Sequence, residues 1–279
     1  MRPVSIPDHI KRFEFLRTHN KSDVVTLIQE NYRKLQKSSP TVSVVIPAYN
    51  EEDNILYTLA SLASNTTKRS VEIIVVNNNS TDRTEELVKA SGVTCITEVK
   101  KGITAARTAG LMAAKGMYVL NADADAIYPS NWIEEMVHPL DCNENIAATY
   151  GRFSFIPVGT TPRFAYFFYE YMADMQRYLN KYFREEALNV YGFNSGFRRR
   201  EGIAVDCYQH PPGSNEDGYL ALKLRNQGFG RLHYVTNLKA LVWTADRRIE
   251  MDGGLFKGTG KRLKKLLFPP KEIIVRADL

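Results

Sequence analysis

From residue 42 the chain alternates short apolar, β-branched runs with segments of helical pattern. No other feature constrains its fold as much. Residues 42–46, 71–76, 93–97 and 117–121 read as strands, and residues 53–64, 82–90 and 103–115 read as the helices between them. A strand covered on both faces is apolar at every position rather than at alternate ones. Such runs separated by helices therefore imply a parallel sheet in an α/β fold. The expected architecture is Rossmann-like: a mixed, mainly parallel sheet with helices on both faces.

The flanking segments read differently. Residues 1–40 form a helical N-terminal extension with helices near 8–18 and 22–37, closed by Pro40. Beyond Pro129 the pattern loosens. Residues 146–155 read as one strand, 215–227 as a helix ended by Gly228, and 231–235 and 239–243 as strands. Residues 164–183 form one long helix dense in Phe and Tyr, with charges at Glu170, Asp174, Arg177 and Lys181. Core packing is its expected role, and a wall for a sugar or lipid acceptor is the alternative, since aromatics suit amphipathic surfaces.

Charge is unevenly placed. Lys257, Lys261, Arg262, Lys264, Lys265, Lys271 and Arg276 face one acid, Glu272, so residues 257–276 hold the whole net charge of +6. A nucleic-acid binder would spread its basic surface over the folded domain, so nucleic acid is not an expected partner. On a helical wheel Leu255, Phe256, Leu263, Leu266 and Leu267 share an arc of roughly 120°, with the lysines opposite. Residues 251–279 thus read as a basic amphipathic segment. It would lie beside anionic lipid or pack on the domain. No run reaches the roughly 18 apolar residues of a membrane span, and the first residues lack the apolar core of a secretory signal. Three scattered cysteines, Cys95, Cys142 and Cys207, fit a reducing compartment. The expected location is cytoplasmic, at most peripheral on the inner membrane face.

In an open α/β sheet, ligands bind beyond the carboxyl ends of the strands. Three polar clusters come directly after strands here: residues 47–51, 77–82 and 123–125. Taken singly each is an ordinary capped turn, because Asn and Asp favour turns and helix starts. All three at one end of a sheet point to a ligand. Asp123 and Asp125, one residue apart at a strand end, offer hard oxygens suited to Mg²⁺ or Mn²⁺, which bridge substrate phosphates. The first strand is not followed by GxGxxG, which disfavours a dinucleotide oxidoreductase, and neither a Walker loop nor GxSxG occurs. The five histidines lack metal-ligand spacing and read as structural, with His233 alone near a late strand that could approach a metal.

In order, these motifs resemble inverting glycosyltransferase family 2, whose nucleotide-sugar-binding domain has the GT-A fold. Residues 43–52 resemble its first strand and turn, residues 75–82 its VDDGSTD block, and Lys101-Gly102 with Ala106-Arg107 and Gly110 its G…AR…G helix. Residues 121–125 match its DxD, 192–199 a GxNxxFRR segment, 215–217 its ED motif and 242–248 a VxTSxRR ending. The resemblance implies a donor half over 41–127 and an acceptor half over 128–250. It also implies roles. Pro47, Tyr49 and Glu51 would line the nucleoside pocket, Asn78 would meet the base, and Arg107 the base or pyrophosphate. Asp123 would hold the ribose or a metal-bound water, and Asp125 the metal. Arg247 or Arg248 would face the diphosphate, and Asp217, beside Glu216, would be the general base.

Asn77-Asn78 replaces the acidic pair of the family motif, so a UDP-linked donor is not favoured over a GDP-linked one. A helix-start acid such as Asp217 is ordinarily stabilised as the anion by the helix dipole, which would weaken it as a base. The implied activity is metal-dependent transfer of a sugar to an acceptor hydroxyl on a glycan or lipid-linked molecule, in polysaccharide or glycolipid assembly. A sugar-nucleotidyltransferase and a non-catalytic nucleotide-sugar-binding subunit are the alternatives.

Overall fold

The computed structural model describes residues 1–249 other than 38, 160 and 248. The basic amphipathic segment and Arg248 lie outside the described residues. Each early apolar run is a strand: β1 (Val42–Ala48), β2 (Val71–Asn77), β3 (Thr94–Thr97) and β4 (Tyr118–Asn121). The helices between them are α3 (Ile55–Ala63), α4 (Thr84–Ala90) and α5 (Ile103–Ala113), preceded by α1 (Asp8–Phe15) and α2 (Lys21–Leu35). The second half contributes β5 (Ala126–Ile127), α6 (Trp132–Cys142), β6 (Ile146–Gly151), β7 (Phe153–Ile156) and α7 (Arg163–Phe183). It ends with β8 (Ser195–Arg198), α8 (Arg199–Ala204), α9 (Glu216–Asn226), β9 (Arg231–Val235) and β10 (Val242–Ala245).

Seven strands form one sheet in the order β3-β2-β1-β4-β8-β6-β9, and β5-β10-β7 form a smaller one. β1 runs parallel to β2 and β4, and β2 to β3. β8 is antiparallel to both its neighbours, while β6 and β9 are parallel. Successive side chains point to opposite faces of a strand, and the core divides accordingly. Val44, Ile46, Ile73 and Val75 face one apolar cluster, with α1, α2, α3 and α6. Val45, Ile74, Val76 and Val119 face the other, with α5 and α9.

All nine residues of α3 are buried. A helix apolar on every side needs cover on every side, and α1 and α2 supply the layer outside it. The Tyr32 hydroxyl at the far end of α2 accepts the backbone N–H of Ile73 in β2 at 2.8 Å. The N-terminal helices are thereby tied directly to the central sheet.

Three expectations change. Residues 146–155 are two strands in different sheets. Gly151 has no room for a side chain, because a Cβ there would lie 2.5 Å from the Asn194 amide, and Asn194 donates to the Arg152 carbonyl at 2.6 Å where the chain turns. Among the described residues the last strand is β10, four residues long, preceded by a 3₁₀ turn over Leu238–Ala240. The aromatic helix α7 fills core only in part: Tyr166 is fully buried, whereas Phe164, Phe168, Tyr178, Tyr182 and Phe183 are exposed. The side that α7 turns inward carries Glu170, Arg177 and Asn180, held by Arg2 and Arg163, which pair with Glu170 at 3.3 and 3.0 Å.

Candidate active site

The turn after β1 is built by side chains of the turn after β2. Backbone N–H groups of Asn50, Glu51 and Glu52 donate to Ser80, Thr84 and Asp82, and Asn50 adopts a positive φ of 53°. Asp82 also accepts from the Thr84 N–H at the start of α4. The polar residues of both loops therefore first satisfy each other's backbone, and together they form one rim. Pro47 stands where β1 has outrun β4, whose pairing ends at Val45 and Asn121.

A cavity of about 940 Å³ opens at this end of the sheet. Pro47 lines it from β1, Tyr49 and Glu51 from the turn after it, Asn78 from beyond β2, Arg107 from α5, Asp123 and Asp125 from beyond β4, and Glu216 and Asp217 from α9. Of the expected site residues among those described, Arg247 alone is not part of this wall, and it reaches the rim from beyond β10. Its guanidinium bridges Asp125 at 2.6 Å and Glu51 at 3.1 Å. Burial raises the Glu51 carboxyl above its ordinary value, with Asn54 and Arg247 opposing the shift.

Arg107 lies at the centre, almost fully buried. It pairs with Asp123 at 2.9 Å, lies 3.2 Å from Asp217 and is 3.9 Å from Glu216. Burial by itself would lower its pKa, but Asp217 and Asp123 outweigh this and hold the guanidinium charged. Nε and Nη1 of Arg107 and Oδ1 of Asp217 are buried without an aligned hydrogen-bond partner among the described residues. Buried polar groups are rarely left so, and these atoms belong to cavity-lining side chains.

Asn215 caps α9 by accepting from the Asp217 and Gly218 N–H groups. Asp217 is nonetheless not a strong acid. Burial raises its pKa to about 7, Arg107 opposes this, and Glu216 and Asp123 add to it. Desolvation of this carboxylate outweighs the stabilisation that a helix-start dipole gives its anion.

Asn78 sits in the wall, yet its amide is largely engaged. Nδ2 donates to the carbonyls of Glu98 and Lys100, and Oδ1 accepts from the Gly102 N–H. Asn77 points away and donates to Glu85. His233 lies on β9, the edge strand, and does not line the cavity.

Sequence reasoning gave no role to several wall residues. Lys101, Tyr191, Gly192 and Phe193 also line the cavity. A Cβ on Gly192 would fall 2.0 Å from Arg107 Nη2 and 2.3 Å from Asp217 Oδ2. Glycine there lets the backbone pass directly over the Arg107–Asp217 pair. Its place in the GxNxxFRR segment was the available signal. Tyr128 joins the two halves of the wall, its hydroxyl accepting from the Asp123 N–H at 2.9 Å and donating to the Phe193 carbonyl at 3.1 Å.

The chain is similar to several glycosyltransferases. The UDP-Glc:alpha-D-GlcNAc-diphosphoundecaprenol beta-1,3-glucosyltransferase WfaP of Escherichia coli is 34% identical over 116 residues, which is 40% of this chain and 45% of that protein. The chain thus spans less than half the length of this curated relative. Among solved structures, Staphylococcus aureus TarS in complex with UDP superposes with a TM-score of 0.57 at 18% identity, covering 74% of this chain and 60% of TarS. Glucosyl-3-phosphoglycerate synthase of Mycobacterium tuberculosis, bound to Mn²⁺, UDP and phosphoglyceric acid, superposes at 0.55 and 20% identity, covering 89% and 84%. At these identities the structures speak for the fold alone. Residues 43–201 match the family described as Glycosyl transferase family 2, more than half of the chain, and the protein belongs to that family.

Proposed function

We propose that this protein is an inverting glycosyltransferase that moves a sugar from a nucleoside-diphosphate sugar to an acceptor hydroxyl. The observation that carries the reading is the Asp217–Arg107–Asp123 cluster in the wall of the cavity, with Asp217 raised to about 7. A general base works best with a pKa near the working pH.

Residues 41–127 supply the donor half and 128–250 the acceptor half. Pro47 and the exposed Tyr49 ring flank the nucleoside, and the remaining lone pair of Asn78 Oδ1 accepts from a base N–H. Arg107 offers its unpaired N–H groups to the donor. Asp217 takes the proton of the acceptor hydroxyl, and that oxygen attacks the anomeric carbon from the face opposite the diphosphate. The bond to the diphosphate breaks as the new glycosidic bond forms, and a single displacement inverts the configuration.

A divalent ion fits the donor set. Among the described residues no group of three His, Cys, Asp or Glu forms a closed metal cage. Mg²⁺ and Mn²⁺ instead favour one or two carboxylates completed by water and substrate phosphates. Asp125, a quarter exposed at the cavity rim, already carries a cationic partner in Arg247. Asp125 and Asp123 would hold the ion, which when bound offsets negative charge on the departing diphosphate. Arg247 would then turn to the diphosphate as a second cation.

WfaP is named for a UDP-linked donor and a lipid-linked acceptor, and TarS is solved with UDP. A UDP-sugar is therefore the first donor to test, with GDP-linked sugars next. The acceptor is a glycan or lipid-linked glycan of the cell envelope. The protein would work on the cytoplasmic side, with the basic residues of 257–276 in peripheral contact with the inner membrane face. No helix among the described residues is long and apolar enough to cross a membrane.

A panel of UDP-, GDP- and dTDP-sugars with Mn²⁺ tests the reading, scored by thermal shift and by release of nucleoside diphosphate. Release with an inverted product supports it. Binding without release would mark a nucleotide-sugar-binding subunit, release of pyrophosphate a nucleotidyltransferase, and either would overturn it.

A further inference from the structure

Helix α7 is inside out. Phe164, Phe168, Tyr171, Met175, Tyr178 and Tyr182 are each 41–65% exposed. They succeed one another at intervals of four and three residues, which places them on one face. The opposite, buried face carries Glu170, Arg177 and Asn180 beside Tyr166. Arg2 reaches Asp174 at 2.6 Å and Glu170 at 3.3 Å beneath the helix, and Arg177 also pairs with Asp174. In a water-facing helix the polar face is outside. Here 21 residues, about 31 Å of helix, present aromatic and Met side chains to the surroundings.

The charges beside this ridge favour one occupant. The acids of α7, Glu170 and Asp174, are both turned inward. Just past its end Glu185 pairs with Arg225, and Glu186 accepts from Tyr150. The exposed basic residues at that end are Lys181, which pairs with Glu186 at 3.5 Å, and Arg184. Val4 and Val158 add exposed apolar side chains, and Pro3 is tied to α7 through Arg163. Ile249 shares a buried apolar cluster with Phe155 and Tyr166, against which Ala165 and Tyr169 of α7 also pack. An apolar aromatic ridge with cations and no outward acid complements an anionic lipid surface.

We propose that the outward face of α7 is a membrane-docking surface, on which Phe164, Phe168, Tyr178 and Tyr182 enter the headgroup region of an anionic bilayer. The proposal rests on the reading of the protein as a peripheral membrane enzyme and deepens it. It replaces a contact made by lysines alone with one anchored by a folded, aromatic element. Through its buried face the helix also adjoins the acceptor side of the cavity. Phe153 lies under the Arg177 guanidinium of α7 and packs edge-on against Tyr191 and Phe193 of the cavity wall. A lipid-linked acceptor would thus meet the site from the membrane side.

The test is co-sedimentation of the full chain with vesicles of phosphatidylcholine and phosphatidylglycerol, against phosphatidylcholine alone. Three proteins are compared: wild type, Phe168→Ser/Tyr178→Ser, and Lys261→Gln/Lys264→Gln/Lys265→Gln. The expected result is that wild type binds the anionic vesicles and the aromatic variant binds about tenfold more weakly. Its melting temperature and its thermal shift with UDP should be unchanged. If the aromatic variant binds like wild type while the lysine variant does not, the ridge is not the docking surface, although membrane contact stands. If wild type binds neither vesicle, the ridge proposal and the membrane reading both fail. If the aromatic variant instead turns a dimer into a monomer in sedimentation equilibrium, or only lowers the melting temperature, the ridge is covered by a second copy or by the chain itself, and the proposal is overturned.

Discussion

Asp217 and Arg107 set the chemistry at the scale of single residues. Asp217→Asn keeps the shape of the side chain but cannot take a proton. It should lower kcat by roughly 10²–10⁴ while donor affinity, measured by titration, stays close to wild type. The base form of wild type prevails only above about pH 7, so kcat should rise with pH through that value. Stability runs the other way. The folded pKa of Asp217 lies above its ordinary 3.8, so between there and about 7 the folded protein binds the extra proton. The stability contributed by this group is present below about pH 4 and is lost as pH rises through about 7. The melting temperature of Asp217→Asn should therefore gain on wild type across that interval. Gly192→Ala adds one methyl where Arg107 and Asp217 already stand within 2.3 Å of its position. Turnover should fall by a factor on the order of 10² or more, while far-UV circular dichroism remains that of the wild type.

Helix α7 makes a prediction at the scale of elements. Its inward polar face converges on Glu170, which accepts from Arg2, Arg163, Ser154 and the Phe155 N–H. Glu170→Ala would leave two buried guanidiniums short of a partner, and breaking such a pair costs about 3–5 kcal/mol. Thermal unfolding should show a melting temperature lower by roughly 10 °C. A helix of this composition reads as core by aromatic content, because aromatic side chains are most often buried. Its charged positions, Glu170, Asp174 and Arg177, carry the contrary signal. They share one helical face, and only a partner such as Arg2, 168 residues from Glu170, decides that this face goes inward.

The rim of the cavity belongs to the scale of the whole molecule. Arg247 lies 196 residues from Glu51 and 122 from Asp125, yet it holds both. If a divalent ion uses Asp125, the ion and Arg247 compete for it. Arg247→Ala should therefore bind Mn²⁺ more tightly in the absence of donor, by calorimetry, while losing turnover with donor present. Asp125→Ala should lose metal-dependent turnover and keep its fold, since the side chain lies at a strand end outside the core. Activity of Asp125→Ala equal to wild type, or of wild type in excess EDTA, would remove the metal from the mechanism.

The parallel half of the sheet was written in the chain itself. Val42–Ala48 and Val71–Asn77 are apolar at nearly every position, and only burial on both faces tolerates that. The same local logic located the polar clusters after β1, β2 and β4, because the residues next after a parallel strand lie at its carboxyl end. It located Asp217 at a helix start but not its proton affinity, which depends on burial beneath Gly192 and on Arg107, Glu216 and Asp123. Nor was β8 legible: Ser-Gly-Phe-Arg has no apolar run, and it is a central strand because β4 and β6 bond it from both sides. Short-range pattern fixes which backbone conformation a segment prefers. Which face is buried, which charge is desolvated and which carboxylate meets which guanidinium depend on residues a hundred or more positions apart, and only the folded chain brings these together.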